Sequence, residues 1–417
     1  MGCVSSKSCH PQKVVDQLVE EKKMIRPRSN IAANWRELSG ENHWKGLLDP
    51  LDVDLRRYII HYGEMAQATY DAFISDKTSK YARRCRYGKR DFFSKVGLEN
   101  GNPFKYEVTK FLYATVEIDV PIYGDVEESN WIGYVAVATD EGKAMLGRRD
   151  IVIAWRGTDQ IMEWIKDFQF FLGDAPRIFG HEAKCKVHQG FYSIYTTTNP
   201  VFFNRTSVQT QVLTEIKRLL RKFKGEEISI TVTGHSLGAA LATLNAVDIV
   251  SNGFNIQEDE SQKACPVTAV VFASPRVGDS QFHKFFSAQK DLRTLRIRNK
   301  EDIVPRLPIL HYADVGEELE IDTLKSNFLK HSRGVKVWHN LEVYLHGVAG
   351  TQGKKGGFKL EVNRDIALVN KNLGVLKDEY HIPKAWRIDQ NKGLVQQPDG
   401  TWKMQDPDSE EDDFICQ

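Results

Sequence analysis

The chain has 417 residues, of which 41% are hydrophobic and 27% charged, a composition typical of a globular protein with a sizeable core. Its 57 lysine and arginine residues are balanced by 56 aspartate and glutamate residues, which argues against a chain that recruits nucleic acid through its overall charge. The six cysteines are scattered, without the closely spaced pairs of zinc or redox sites, and indicate a reducing intracellular compartment.

Residues 1–30 are predicted to form a separate anchor segment. They begin with Met1-Gly2-Cys3-Val4-Ser5-Ser6, which matches the pattern for N-myristoylation of Gly2. One myristoyl chain binds a membrane only marginally, so stable anchoring would need a second acyl group on Cys3. Apolar residues at helical spacing over 13–26 favour a short amphipathic helix. Because no secretory signal or membrane-spanning run follows, we expect a cytoplasmic protein, peripheral on a membrane if these two residues are acylated; an unmodified tail is the alternative.

Residues 31–400 are predicted to form one catalytic domain, with its core at about 110–350. Helical spacing over 55–73 predicts a covering helical layer in an N-terminal extension. Short β-rich runs predict strands at 111–116, 131–137, 151–155, 228–233, 267–273 and 292–298. Helical patterns such as 208–223 alternate with the later strands, which predicts an α/β fold with a mostly parallel central sheet and helices on both faces. The closing segment 401–417 is predicted to be an acidic, disordered tail.

The segment that indicates chemistry is Gly234-His235-Ser236-Leu237-Gly238, which follows a predicted strand and precedes an alanine-rich helix. In this strand-turn-helix context a GxSxG sequence places the serine hydroxyl clear of the sheet, and glycines on either side avoid a collision across the turn. The amide of Leu237, at the start of the helix, would point at a developing oxyanion. Ser236 is therefore the predicted nucleophile; the alternative is a glycine-bounded turn with an incidental serine.

A nucleophilic serine needs a base and an orienting acid, and in this fold they follow it in the order acid, then histidine. Asp302 comes just after the last predicted strand, at the sheet edge where such folds keep their active sites. Glu301 and Asp279 are rival carboxylates. The histidines downstream of Asp302 are His311, His331, His339, His346 and His381. His339, at the predicted start of a helix, fits a loop-borne base, whereas His346 lies further along that helix and fits a packing or capping role.

Four separated motifs together resemble the class 3 lipases, and most closely the plant class II phospholipases A1. They are Arg156-Gly157-Thr158, Val187-His188-Gln189-Gly190-Phe191, the GxSxG segment and Asp302-Ile303-Val304-Pro305. The resemblance runs from about Trp44 to near Gly400. It implies an α/β-hydrolase fold with Ser236 as nucleophile, Asp302 as acid and His339 as base, since the family's histidine precedes a Leu-x-x-Tyr-like helix. It also implies that the amides of Thr158 and Leu237 form the oxyanion hole, and that His188 and His235 are structural.

The resemblance implies an acyl-ester hydrolase that acts on glycerolipids, with cleavage at the sn-1 position of a phospholipid. The alternatives are a lipase for mono- or diacylglycerol or for galactolipids, and a lipase-like signalling module without catalysis. We expect no metal or organic cofactor, because the reaction needs none and no clustered ligands appear. The expected partners are a glycerolipid and the membrane surface that contains it, not nucleic acid.

One further helical pattern follows the oxyanion turn. Ile161, Trp164, Ile165 and Phe168 recur at positions i, i+3, i+4 and i+7, which describes one apolar helix face. In class 3 lipases the corresponding stretch is a lid, and Phe170, Phe171 and Leu172 would help such a lid to partition onto lipid. On periodicity alone, a helix that packs in the core is as well supported as a lid.

Overall fold

The computed structural model describes residues 31–116, 128–158, 171–199, 204–258, 262–331 and 334–387, and two short strands at 394–396 and 402–404. Several predicted features lie outside these residues: the acylation candidates Gly2 and Cys3, the helix at 13–26, the lid residues up to 170 and the acidic stretch at 406–413. Among the helices that are described, none has the length and apolar character needed to cross a bilayer.

A seven-stranded sheet forms the centre of the described structure, in the order β1-β2-β3-β6-β7-β8-β9. Its strands are β1 (Tyr106–Val116), β2 (Glu128–Ala138), β3 (Arg149–Trp155), β6 (Ile228–His235), β7 (Val267–Phe272), β8 (Leu292–Asn299) and β9 (Glu317–Ile321). The first three pair antiparallel, whereas β3, β6, β7, β8 and β9 pair in parallel. The predicted α/β-hydrolase fold with a mostly parallel sheet is confirmed.

Two small antiparallel pairs stand apart from this sheet. They are β4 (Leu172–Asp174) with β5 (Lys186–His188), and β10 (Leu394–Gln396) with β11 (Trp402–Met404). The second pair spans residue 400, where the sequence placed the end of the catalytic domain. The two paired strands therefore lie on either side of that predicted boundary.

Helices cover both faces of the sheet. They are α1 (Ile31–Leu38), α2 (Val53–Asp71), α3 (Phe92–Lys95), α4 (Asp140–Leu146), α5 (Pro176–Phe179), α6 (Gln189–Thr196), α7 (Val208–Lys222), α8 (Leu237–Ser251), α9 (Ser280–Ser287), α10 (Val335–Trp338) and α11 (Leu341–Gly350). One apolar cluster joins α6, α7 and α8 to one face of the sheet, and another joins α2 and α11 to the opposite face. The central strands β6 and β7 are buried along their whole length, which explains their continuous apolar and β-branched sequences.

The edge strand β1 begins five residues earlier than the apolar run at 111–116 predicts. Its first half alternates between buried Tyr106 and Val108 and exposed or half-buried polar residues such as Glu107 and Lys110. This alternation fits a strand with one solvated face, which a search for continuous apolar runs does not detect.

Helix α2 lies against the sheet through a buried polar contact as well as through apolar packing. Asp52 caps its N-terminus by accepting bonds from the amides of Asp54 and Leu55. In the middle of the helix, the Tyr62 hydroxyl donates to the buried Asp150 carboxylate at 2.7 Å. These contacts fix the direction of α2. Tyr70, in its last turn, lies next to the C-terminal end of β6.

Candidate active site

Ser236 occupies a sharp turn between β6 and α8. Its backbone angles, φ 60° and ψ −125°, lie in a region that non-glycine residues rarely adopt. Although Ser236 stands at the N-cap position of α8, its side chain makes no capping hydrogen bond. The turn therefore holds the serine hydroxyl away from the helix, as a nucleophile elbow requires.

The two glycines of the motif are required by close approach of the backbone. A Cβ atom on Gly234 would lie 2.5 Å from the carbonyl carbon of Gly238, on the other side of the turn. A Cβ atom on Gly238 would lie 2.8 Å from the carbonyl carbon of Arg156. Cβ atoms in folded proteins do not approach other heavy atoms this closely, so glycine is needed at both positions, as the sequence predicts.

Asp302 and His339 are brought together from two different loops. The Nδ1 atom of His339 donates to Oδ2 of Asp302 at 2.7 Å, and both side chains are buried. His339 lies in the short connection between α10 and α11, two residues before α11 begins. Asn299, the last residue of β8, holds this loop by donating to the Trp338 carbonyl at 3.0 Å.

The Asp302 carboxylate has two further partners. Oδ2 accepts a bond from the Tyr344 hydroxyl at 2.6 Å, and Oδ1 accepts one from the Val304 amide at 3.0 Å. Burial, followed by the neighbouring Asp302 charge, raises the pKa of Tyr344 well above its ordinary value, so this hydroxyl remains a neutral donor. The sequence analysis did not name Tyr344, although the Leu-x-x-Tyr-like pattern after His339 contains it.

Two buried polar atoms at this site have no hydrogen-bond partner among the described residues: Oγ of Ser236 and Nε2 of His339. Buried polar atoms are rarely left in this state in folded proteins, and exceptions concentrate at functional sites. The bond between these atoms that would activate the serine is not formed in this conformation, and catalytic bonds often tighten only when substrate binds. The unpartnered Nε2 is the atom that a serine base must present.

His235, which the resemblance implied was structural, contacts the predicted base, His339, directly. Its Nε2 lies 2.7 Å from the carbonyl oxygen of His339, its Nδ1 lies 2.8 Å from the Tyr70 hydroxyl, and the two imidazole rings are 4.7 Å apart. Burial, and next the charge that His339 can carry, lower the pKa of His235 well below its ordinary value. His235 is thus a neutral ring between the turn that carries Ser236 (the nucleophile turn) and the loop that carries His339 (the base loop).

The two segments that contain the predicted oxyanion amides touch each other. Leu237 is the first residue of α8, so its amide is one of those that a helix leaves without an intrahelical partner. Thr158 follows the end of β3, and the missing side chain of Gly238 lets the nucleophile turn pack directly against Trp155 and Arg156. The two candidate amides therefore belong to adjoining turns at the C-terminal ends of β3 and β6.

The rival residues have other roles. Asp279 caps α9 by accepting the Phe282 amide, and His346 is buried on α11 with its Nε2 2.8 Å from the Ser326 hydroxyl. His188 caps α6 through a bond from the Gly190 amide, as a structural residue would. Glu301, His311, His331 and His381 make no hydrogen bond or ion pair with Asp302 or His339 among the described residues. Within the same residues, no group of three or more His, Cys, Asp or Glu side chains is placed to hold a metal ion.

Comparison with known proteins gives consistent matches. The family model Lipase (class 3) matches residues 152–312, which include Ser236 and Asp302 but end before His339. Phospholipase A1-IIgamma of Arabidopsis thaliana is 53% identical over 92% of this chain and 96% of its own length. Phospholipase A1-II 4 of Oryza sativa subsp. japonica is 54% identical over 92% of this chain and 98% of its own length.

Among solved structures, the native Rhizomucor miehei lipase propeptide complex matches with a TM-score of 0.42 and 19% identity, over 71% of this chain and 80% of that one. The identification depends instead on the sequence relatives, which are about half identical across nearly their whole length. This chain belongs to the class 3 lipases, within the phospholipase A1-II group.

Proposed function

We propose that this protein is a serine acyl-ester hydrolase that releases the sn-1 fatty acid of a phospholipid. The observation that carries the proposal is the pair formed by His339 and Asp302, which leaves Nε2 of His339 without a partner beside the strained turn of Ser236. An orienting carboxylate, a base with one free nitrogen and an unbonded hydroxyl are the components of a catalytic triad.

In the proposed mechanism, Oγ of Ser236 attacks the ester carbonyl while Nε2 of His339 takes its proton. Asp302 accepts the Nδ1 hydrogen bond throughout and stabilises the imidazolium that forms. The amides of Leu237 and Thr158 bind the tetrahedral oxyanion. When this intermediate collapses, the leaving glyceryl alcohol takes the proton from His339, and water then releases the fatty acid from Ser236 by the same steps.

The choice of a phospholipid and of its sn-1 ester is supported by the relatives that are named phospholipase A1. Mono- or diacylglycerols and galactolipids are the competing substrates. A phosphatidylcholine with different acyl chains at the two positions separates these possibilities, since mass spectrometry identifies both the released fatty acid and the remaining lysolipid. Release of the sn-1 chain supports the proposal, whereas preferential cleavage of a galactolipid or diacylglycerol would replace it.

The role of Ser236 is tested with Ser236→Ala and with Ser251→Ala as the matched control. Ser251 is the last residue of α8, at the opposite end of the helix that Ser236 begins. We expect Ser236→Ala to lose hydrolysis and labelling by a fluorophosphonate probe, and Ser251→Ala to keep both. A wild-type protein that neither reacts with the probe nor hydrolyses any lipid would instead be a non-catalytic module of this fold.

A membrane surface as partner is supported by exposed apolar residues close to the proposed site. Ile303 directly follows Asp302 and is 46% exposed, and Ile309 and Leu310 are 69% and 73% exposed in the same loop. The loop returns to the body of the protein at Tyr312, whose ring lies 6.1 Å from that of His188. Phe171, 63% exposed, precedes the β4 strand that pairs with His188. Such a group of apolar side chains is typical of a lipid-contacting surface.

We also propose that the protein is cytoplasmic and that acylation of Gly2 and Cys3 holds it on a membrane, with residues 1–30 as the anchor. The supporting observation is the sequence pattern at the start of the chain. Gly2→Ala and Cys3→Ala variants, followed by fractionation of cells and by measurement of fatty acylation, test it. Loss of the modification and of membrane association supports the anchor, and unchanged association of the double variant contradicts it.

A further inference from the structure

We propose that Tyr70 and His235 are a pair of positioning residues that hold the catalytic base, His339, and the oxyanion turn in place for the reaction. The inference rests on the proposed function, because it assigns roles around the same site. It goes beyond the triad by including Tyr70, from helix α2. That helix lies before residue 152, where the match to the class 3 lipase family model begins.

The direction of each hydrogen bond follows from the chemistry of the partners. A backbone carbonyl can only accept, so the contact of 2.7 Å between Nε2 of His235 and the His339 carbonyl requires a proton on Nε2. In a neutral ring Nδ1 is then an acceptor, and it receives the Tyr70 hydroxyl at 2.8 Å. Tyr70 thus fixes the tautomer in which His235 can hold the base loop.

The neutral state of His235 matters because its ring centre lies 4.7 Å from that of His339. His339 becomes positively charged when it takes the serine proton, and a permanent positive charge at this distance would oppose that step. A neutral imidazole provides a directed donor to the base loop without such a charge. Among the described residues, the titratable groups packed near His235 besides His339 are Tyr70 and Tyr344, and the Tyr344 ring lies 6.2 Å away with its hydroxyl bonded to Asp302.

The same pair also seats the turn that carries Thr158. A Cβ atom on Gly157 would lie 2.5 Å from the carbonyl oxygen of His235, and it would overlap the Tyr70 hydroxyl. Gly157 therefore packs directly onto both residues. Both residues therefore contact the turn that carries Thr158, and His235 also contacts the loop that carries His339. Because His235 directly precedes Ser236 in the chain, the pair connects all three proposed catalytic segments.

The test uses Tyr70→Phe, which removes only the hydroxyl, and Tyr134→Phe as the matched control. The Tyr134 hydroxyl donates to the Met65 carbonyl at 2.9 Å, so the control also removes one buried bond to helix α2, but away from the site. With a short-chain p-nitrophenyl ester, we expect Tyr70→Phe to lower kcat about tenfold or more with KM changed less than about twofold, while Tyr134→Phe keeps wild-type kcat. Thermal unfolding shows whether both variants fold.

A pH profile separates positioning from simple packing. Without the Tyr70 hydroxyl, Nδ1 of His235 can accept a proton as the pH falls, and the resulting charge lies beside His339. We therefore expect the acid limb of kcat/KM to move to higher pH in Tyr70→Phe and to stay unchanged in Tyr134→Phe. A purely structural role would reduce the amount of active protein at every pH without moving this limb.

Two variants of His235 complete the test. His235→Phe keeps the ring and removes both nitrogen contacts, whereas His235→Gln keeps a neutral donor for the His339 carbonyl. We expect His235→Gln to retain much more of the wild-type kcat than His235→Phe. If Ser236→Ala is inactive while Tyr70→Phe and His235→Phe both keep the wild-type kcat and pH profile, the positioning role is wrong and the proposed function stands. If Ser236→Ala remains active, the proposed function itself is wrong.

Discussion

The hydroxyl of Tyr344 donates to Asp302 at 2.6 Å, on the same carboxylate oxygen that accepts Nδ1 of His339 at 2.7 Å. Since the amide of Val304 occupies the other oxygen, the carboxylate is held from three directions inside the protein. The Asp302 carboxylate is therefore oriented by Val304, which precedes His339 in the chain, and by Tyr344, which follows it. This arrangement makes Asp302 an acceptor that cannot turn away from His339.

Replacing Tyr344 with phenylalanine removes one hydrogen bond to Asp302 and leaves the packing of the ring. A bond to a buried carboxylate contributes about 1.5–3 kcal/mol, so we expect kcat to fall by about tenfold or more. Steady-state kinetics on a soluble ester measures the effect. A kcat within about twofold of wild type, in a variant that folds normally, would show that the bond does not contribute to catalysis.

Asp302→Asn should leave the geometry nearly unchanged and almost abolish activity. An amide in this position disfavours the histidine tautomer that leaves Nε2 free, and it cannot stabilise the imidazolium, so kcat should fall by about a thousandfold or more. Asp279→Asn is the control, because asparagine also caps a helix well and Asp279 caps α9. Comparable losses in both variants would mean that Asp302 is not the acid.

The sequence predicts three candidate triad residues because each has a local signature. Ser236 lies in a glycine-bounded strand-turn-helix, Asp302 follows a strand end, and His339 precedes a helix with a Leu-x-x-Tyr-like pattern. The structure places Asp302 and His339 in direct contact. The parallel sheet is also predicted from the sequence, because apolar strand patterns alternate with helical patterns between residues 151 and 298.

The hydrogen bonds around the proposed triad could not be predicted from local sequence patterns. Tyr70 and His235 are 165 positions apart, and nothing in either local sequence indicates that helix α2 ends beside β6. The donor from Asn299 to the Trp338 carbonyl spans 39 positions and involves a backbone atom that any residue supplies. Such contacts depend on how the helices pack on the sheet, which periodicity does not specify.

The apolar loop after Asp302 should bind lipid. Changing Ile309 and Leu310 to serine removes two side chains whose burial in lipid is worth about 1.5–3 kcal/mol each when complete, so we expect vesicle binding to weaken by at least about tenfold. Cosedimentation with phosphatidylcholine vesicles measures it, with Ser236→Ala in the background to prevent hydrolysis. Activity on a soluble short-chain ester should change little.

The control for that loop is Met145→Ser, because Met145 is 48% exposed on helix α4, away from the loop after Asp302. We expect its vesicle binding to match the parent protein. Equal weakening in both proteins would indicate a general effect of surface hydrophobicity, and unchanged binding in the loop variant would remove the loop from the docking surface.

Acid should destabilise the fold through its buried histidines, and His61 offers the clearest case. Burial lowers the pKa of His61 from 6.5 to about 3, and its ring contacts those of Phe104 and Tyr106. Between these two pKa values the unfolded chain binds a proton that the folded chain does not, so stability is complete above about pH 6.5 and falls as the pH drops toward 3. For one such group the loss from about pH 7 to about pH 5 is about 2 kcal/mol.

His61→Phe removes this proton uptake and keeps an aromatic ring in the same apolar surroundings. We expect its free energy of unfolding, measured with urea, to decline less between pH 7 and pH 5 than that of the wild type, by about 2 kcal/mol. Phenylalanine at His331 is the control and should leave the pH dependence unchanged, because this side chain is exposed to solvent. Identical slopes for the wild type and His61→Phe would mean that the buried imidazole gains its proton before the protein unfolds.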